Sequence, residues 1–189
     1  MGYVTWSYDT LNTFCKDVFQ SFGFSEQESE EIKDVLLKAD LYGIESHGMQ
    51  RMVRYHKGIQ KGTIHPEAKP EVVFETPISA VIDGHNGMGQ LISIYAMKKA
   101  IEKAKTTGVG IVSVRNSNHF GIAGYYAKMA VAWAVSVYFA AFPDEMLTYL
   151  QDGHKLDEFT YKKSLQKIVE SYRVDKEMKK IIKEMRQRG

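Results

Sequence analysis

The apolar period of this chain changes twice, and that change limits its possible folds more than any single motif does. Leu11, Phe14, Cys15, Val18, Phe19 and Phe22 follow the spacing of one helical face, and Gly23 is placed to end that helix. A second helix is predicted from the S-x-x-E capping box of Ser25 and Glu28 to Gly43, with acidic residues loaded into its first turn. A third is predicted to start with Ser46 as N-cap, to turn Met49, Met52, Val53 and Ile59 inward, and to end near Gly62. The period then shortens. EVVFE (71–75) and SAVID (79–83) read as short strands around a Thr76-Pro77 turn. A helix from about Gln90 to Thr107 follows, Gly108 breaks it, and VGIVSVR (109–115) reads as a strand. GIAGYYAKMAVAW (121–133) reads as helix and AVSVYFAAF (134–142) as a further strand.

From Pro143 the helical period returns. Leu156, Phe159, Leu165, Ile168, Val169 and Tyr172 form one predicted stripe, and Val174, Met178, Ile181, Ile182 and Met185 another. The expected fold is therefore α/β (α+β). An N-terminal helical layer, a mixed or antiparallel sheet and C-terminal amphipathic helices make it up.

A length of 189 residues accommodates one domain with a sizeable core, or one domain and an appendage. With 44% hydrophobic and 25% charged residues the chain reads as soluble and globular. No apolar run reaches the length of a bilayer span, and the N-terminus lacks a basic region followed by an apolar one. Its Met1-Gly2 start suits an ordinary cytosolic sequence more than a myristoylation signal. The single cysteine, Cys15, permits no intrachain disulfide and points to a cytoplasmic location. Its place on the apolar face of the first helix makes it a packing residue. The net charge of +2 argues against a nucleic-acid or membrane partner. The basic excess belongs to the tail: residues 151–189 carry 11 basic and 7 acidic groups, residues 1–150 carry 14 and 16.

Two polar stretches stand out. In ESHGMQRMVRY (45–55), a helix capped by Ser46 would place His47 in its first turn, where the positive end of the helix dipole attracts anions and disfavours a protonated imidazole. Arg51 and Tyr55 follow at successive i+4 positions, so the three would line one face able to bind and protonate a small carboxylic acid. The same pattern also suits a capped helix with a solvated face. In VRNSNHFGIAGYYA (114–127), a strand hands over to a helix through Asn116, Asn118 and His119, a common place for a ligand site in α/β domains. His119 there is a candidate general acid/base that the asparagines could orient, and Gly121 and Gly124 permit close approach. An Asn-rich turn with no chemistry fits those residues equally. DGHNGMGQ (83–90) has its glycines in the wrong order for a dinucleotide fingerprint and reads as a tight loop. The six histidines are scattered with no H-x-x-x-H pair, so no metal site is expected.

In order and spacing, ADLYGIESHGMQRMVRYHKGIQKGTI, AVIDGHNGMGQ and GVGIVSVRNSNHFGIAGYYA closely resemble the malate/L-lactate dehydrogenase family of the non-Rossmann type. The Ser-His-Gly and Asn-His-Phe-Gly motifs make the resemblance specific, and it runs from about Leu11 to Met129. It implies an NAD- or NADP-dependent oxidoreductase interconverting a 2-hydroxy acid and a 2-oxo acid. It also implies a cytoplasmic homodimer with the active site near the subunit interface. By position, His47 and His119 match the family's catalytic histidines, and Ser46, Arg51 and Tyr55 match residues lining its substrate pocket. Asn116 and Asn118 are added as substrate-side candidates, while the cofactor-binding residues are unknown.

Beyond Ala130 the sequence departs from the family. The glycine-rich segments that carry most of the nicotinamide contacts, including a Gly-Thr-Asn-Pro type stretch, have no counterpart here. Residues 1–142 are therefore expected to form a truncated malate/lactate dehydrogenase-like domain and 143–189 a helical tail of unknown origin. A strand set interrupted in this way should leave unpaired edges and apolar surface. The alternative function is that of a catalytically inactive, truncated or rearranged member acting as a structural or interaction module.

Overall fold

The computed structural model describes residues 4–188, so the Met1-Gly2 start lies outside the described residues. The chain divides into two compact units, one up to Tyr125 and one from Tyr126 onward.

The first unit opens with α1 (Tyr8–Ser21) and α2 (Glu26–Leu41). The Ser25/Glu28 capping box is formed at the start of α2, satisfying two backbone donors that a helix end leaves orphaned. Cys15 and Phe19 from α1 pack with Ile32, Leu36 and Leu37 from α2, and with Met52, Tyr55 and Met88, in one core cluster. Burial pushes the Cys15 thiol up to about 12, with the Asp40 charge adding to the effect and Lys33 opposing it. It is a packing residue, as its position on the apolar face predicts.

The third helix begins later than its sequence suggests. Glu45–His47 forms a 3₁₀ turn, and α3 spans Arg51–Gln60 with Gln50 at its N-cap and no side-chain cap. The Ser46 hydroxyl meets the neighbouring His47 Nδ1 at 2.8 Å and caps nothing. Asp40 intervenes: its carboxylate accepts the Met49 N–H at 2.8 Å and lies where a Cβ on Gly48 would stand, which sets the chain's path before α3. Val53, expected inward, is 62% exposed, because the buried face of α3 is the one that carries Met52 and Tyr55.

The two short strands expected around the Thr76-Pro77 turn, β1 (Glu71–Glu75) and β2 (Ser79–Gly87), pair as an antiparallel hairpin, with Glu75 opposite Ala80 and Glu71 opposite Asp83. Its turn is closed by the Thr76 N–H on the Ser79 carbonyl at 2.8 Å. Helix α4 (Gly89–Thr107) ends at Gly108, the residue expected to break it, whose φ of 84° makes it a left-handed C-cap. It carries the chain to β3 (Ile111–Ser117), which pairs parallel with β2, giving a mixed sheet of order β1-β2-β3. The 83–90 stretch is the irregular end of β2 as much as a loop. The β2–β3 register shifts between Asp83 and Gly87, where His85 and Asn86 have positive φ.

The clearest departure is in AVSVYFAAF. Instead of a strand, it is the second half of α5 (Ala123–Ala141). Seven alanines across α5 favour helix, and the buried positions Ala132, Val135, Ser136 and Phe139 recur at helical spacing. Val131, Val135 and Val137 supply the β-branched character that suggests a strand, but packing overrides that propensity. In the second unit α5 is followed by α6 (Pro143–Thr148), a π turn at Tyr149–Gly153, α7 (Glu158–Glu170) and α8 (Lys176–Arg188). Val135, Phe139, Leu150, Leu165, Ile168, Val174 and Ile182 form its core. Asp157 caps α7 by accepting from the Thr160 N–H and hydroxyl. Tyr172, assigned to the inward stripe, lies beyond the end of α7 and is 86% exposed. Among the described residues no helix is long and apolar enough to cross a membrane.

Candidate active site

Three pieces of the first unit converge on His119. After β3 ends at Ser117, the chain turns through Asn118 and His119 to Gly121, where φ is 82°. Gly89, the first residue of α4, lies against this turn. A Cβ at that position would fall 2.3 Å from the Asn118 carbonyl oxygen and 2.4 Å from that of His119. Only glycine lets the start of the helix come so close. A Cβ on Gly121 would meet Val35 at 2.4 Å, so close approach is real there, whereas Gly124 faces open space.

Helix α3 contributes Arg51 and Tyr55, and the preceding 3₁₀ turn contributes Ser46 and His47. The Tyr55 hydroxyl lies 2.7 Å from His119 Nδ1, and the Gly121 N–H donates to the same nitrogen at 3.3 Å. The Gln90 side-chain amide donates to the Tyr55 hydroxyl at 2.8 Å. The rings of His47 and His119 are 5.2 Å apart, centre to centre. The Arg51 Nε donates to the Ser46 carbonyl. His119 Nε2 is buried and has no hydrogen-bond partner among the described residues. Such a group calls for a missing partner.

Burial and nearby charge disfavour the ionised forms of His119 and Tyr55. Burial holds the His119 imidazole below the ordinary histidine value, and the charges of Arg51, His47 and Arg54 act in the same direction. Burial raises the Tyr55 phenol, against the opposing effects of Gln90, Arg51 and Arg54. At neutral pH both side chains are uncharged, and the hydrogen bonds between them are those of a neutral chain.

The structure thus brings Ser46, His47, Arg51, Tyr55 and His119 together. His47 precedes α3 instead of lying in its first turn, so it does not share a helix face with Arg51 and Tyr55. The amides of the two asparagines serve the framework. Asn116, at φ 49°, donates to both oxygens of Asp83, at 3.0 and 2.9 Å. Asn118 donates to the carbonyls of Thr63, Asn86 and Gly87, at 3.2, 2.9 and 3.0 Å. Asp83 also accepts from Arg115 Nε at 2.9 Å, which ties the end of β2 to the end of β3 below the site. Sequence reasoning passed over Gly89, Gln90 and Asp83. A signal for Gln90 existed: it is a polar residue on the helical stripe that continues through Ile94 and Ile101.

The sequence pattern of the malate/L-lactate dehydrogenase family matches residues 6–140. The chain belongs to the malate/L-lactate dehydrogenase family. It is 48% identical over 134 residues to a malate dehydrogenase of Pyrococcus abyssi, an alignment covering 68% of this chain and 37% of that protein. It is 46% identical over 115 residues to an L-sulfolactate dehydrogenase of Methanocaldococcus jannaschii, covering 61% of this chain and 33% of the relative. The fold also superposes on the malate dehydrogenase structure from Pyrococcus horikoshii OT3 with a TM-score of 0.65 at 46% identity, covering 69% and 39% of the two chains. This member therefore spans little more than a third of the length of the relatives it matches. The matched region contains the whole His119 cluster.

Proposed function

We propose that this chain carries the substrate-binding and proton-transfer side of an NAD(P)-dependent dehydrogenase interconverting a 2-hydroxy acid and a 2-oxo acid. The observation that carries the reading is the unpartnered, buried Nε2 of His119, beside His47 and within the field of Arg51. A C2 oxygen hydrogen-bonded to that nitrogen would complete its environment. Arg51 uses its Nε on Ser46, which leaves its terminal nitrogens to hold the acid's carboxylate. His119 and His47 are the proton-transfer candidates, with Ser46 and Tyr55 orienting them, while Asn116 and Asn118 fix the turn that presents His119.

For the cofactor, the residues present offer an open cavity of about 510 Å³ lined by Gln50, Arg54, Lys57, Lys61, Thr63 and Asn118. Three cations beside Asn118 suit the phosphates of a dinucleotide, and these are the residues that would hold them. A nicotinamide held there would supply the hydride chemistry at C2 of the acid. The family resemblance supports a homodimer in the cytoplasm, with residues 1–142 as the dehydrogenase-like part and 143–189 as a helical tail that shares a core with Val135 and Phe139.

The test is a fluorescence titration of the full chain with NADH and NADPH, with size-exclusion chromatography alongside. The expected result is saturable binding and oxidation of the bound cofactor by a 2-oxo acid such as oxaloacetate or pyruvate. No binding up to millimolar cofactor would overturn the dehydrogenase reading and leave the non-catalytic module.

A further inference from the structure

Gln90 is wholly buried at the start of α4, where its Nε2 donates to the Tyr55 hydroxyl at 2.8 Å and its Oε1 has no partner. A buried amide with an idle acceptor is costly. Tyr55 has one proton to give. Because Gln90 donates to its oxygen, that proton is directed onto His119 Nδ1, 2.7 Å away. Gly121 donates to the same nitrogen, so Nδ1 carries a lone pair and the neutral ring holds its proton on Nε2.

We propose that Gln90 is a positioning residue that sets, through Tyr55, which nitrogen of His119 holds the proton. The inference rests on the reading of His119 as the acid/base group. In the arrangement described, Nε2–H donates a hydrogen bond to a 2-oxo oxygen but has no lone pair with which to take a proton from a 2-hydroxyl. A half-turn of the Gln90 amide exchanges its Nε2 and Oε1. Oε1 then accepts from the Tyr55 hydroxyl, the Tyr55 oxygen accepts from His119 Nδ1–H, the long 3.3 Å contact from the Gly121 N–H to that nitrogen is given up, and His119 Nε2 presents a lone pair.

From that second arrangement the proton balance closes. The C2 hydroxyl proton goes to His119 Nε2, the other ring proton stays on Nδ1 with the Tyr55 oxygen accepting from it, and the ring becomes imidazolium; an oxidised nicotinamide bound beside it would take the hydride from C2. Reduction runs the same steps backwards. An amide serves both polarities because it is donor and acceptor at once. A leucine would be neither, and a carboxylate would only accept.

Nitrogen-15 long-range correlation spectra of the histidines in the full chain read the tautomer directly, with no need for turnover. In the wild type His119 should be the Nε2–H tautomer. In Gln90→Leu the Nδ1–H population should rise several-fold. The imidazole pKa should rise with it, against a field of His47, Arg51, Arg54 and Tyr55 that the substitution leaves in place. Adding Gln90→Leu to a Tyr55→Phe background should change neither quantity further. A wild-type His119 protonated on Nδ1 overturns the proposal without any variant. So does a folded Gln90→Leu with unchanged tautomer and pKa, or an effect that persists without the Tyr55 hydroxyl. If the leucine variant does not fold, Gln90→Met, closer in shape, is read by the same outcomes. Absence of cofactor binding would leave these spectra unaffected, so failure of the dehydrogenase reading and failure of this one are distinguished.

Discussion

His119 owes its chemistry to what surrounds it more than to its own side chain. One ring nitrogen is held by Tyr55 and Gly121 and the other is left buried and bare, in a field of Arg51, His47 and Arg54 that disfavours a second proton. His119→Ala and His47→Ala should each lower turnover of a 2-oxo acid by about 10²–10⁴ if both act in proton transfer. Steady-state rates at saturating NADH decide the matter, and a near-normal rate in either variant removes that histidine from the mechanism. The Asn-His and Ser-His motifs made both histidines legible in the sequence. For Gln90 the sequence held only its place on the stripe through Ile94 and Ile101; its burial and its bond to Tyr55 come from the fold. The importance of Gly89 was hidden for a similar reason: only the Asn118–His119 carbonyls, far along the chain, make its missing Cβ matter.

At the scale of elements, sequence signals held where the information was local. The Ser25/Glu28 box, the Gly108 stop and the Thr76-Pro77 hairpin each depend on a few adjacent residues, and each is found in place. The third helix started late because the Asp40 carboxylate, contributed by α2, holds the chain ahead of it. AVSVYFAAF is ambiguous in isolation, since a short apolar run suits a buried strand or a buried helix. Its helical state is decided by the stripe through Ala132, Val135 and Phe139. Phe139 is fully buried in the core of the second unit, so Phe139→Ala should destabilise that unit by about 3–5 kcal/mol. Chemical denaturation followed by circular dichroism measures it. A loss below about 1 kcal/mol would mean that Phe139 does not pack as described.

For the whole molecule, the shifted groups predict how stability responds to acid. His119 stays neutral in the fold at pH values where the unfolded chain, with a histidine pKa of about 6.5, already binds a proton. Stability should therefore fall as the pH drops below about 6.5, and His119→Asn should flatten that part of the profile. Asp157 acts lower. Burial favours its protonation, but the Thr160 hydroxyl and Lys128 outweigh that and hold its carboxyl at about 2. Its contribution is present above the unfolded value of about 3.9 and is lost as the pH falls from there toward 2. Melting temperatures between pH 8 and pH 3 test both, and equal slopes for wild type and His119→Asn between pH 7 and pH 5.5 would reject the first. The sheet adds a feature of the same scale. β3 has one neighbour in it, and Ile111 and Val114 are 58% and 38% exposed. The sequence by itself determined the family, the helix caps, the hairpin and the two histidines, because each is written in contiguous residues whose chemistry does not depend on distant partners. The tertiary structure alone decided the start of α3, the helical state of 134–141 and the Gln90–Tyr55–His119 chain, since each depends on which distant groups meet and which are removed from water.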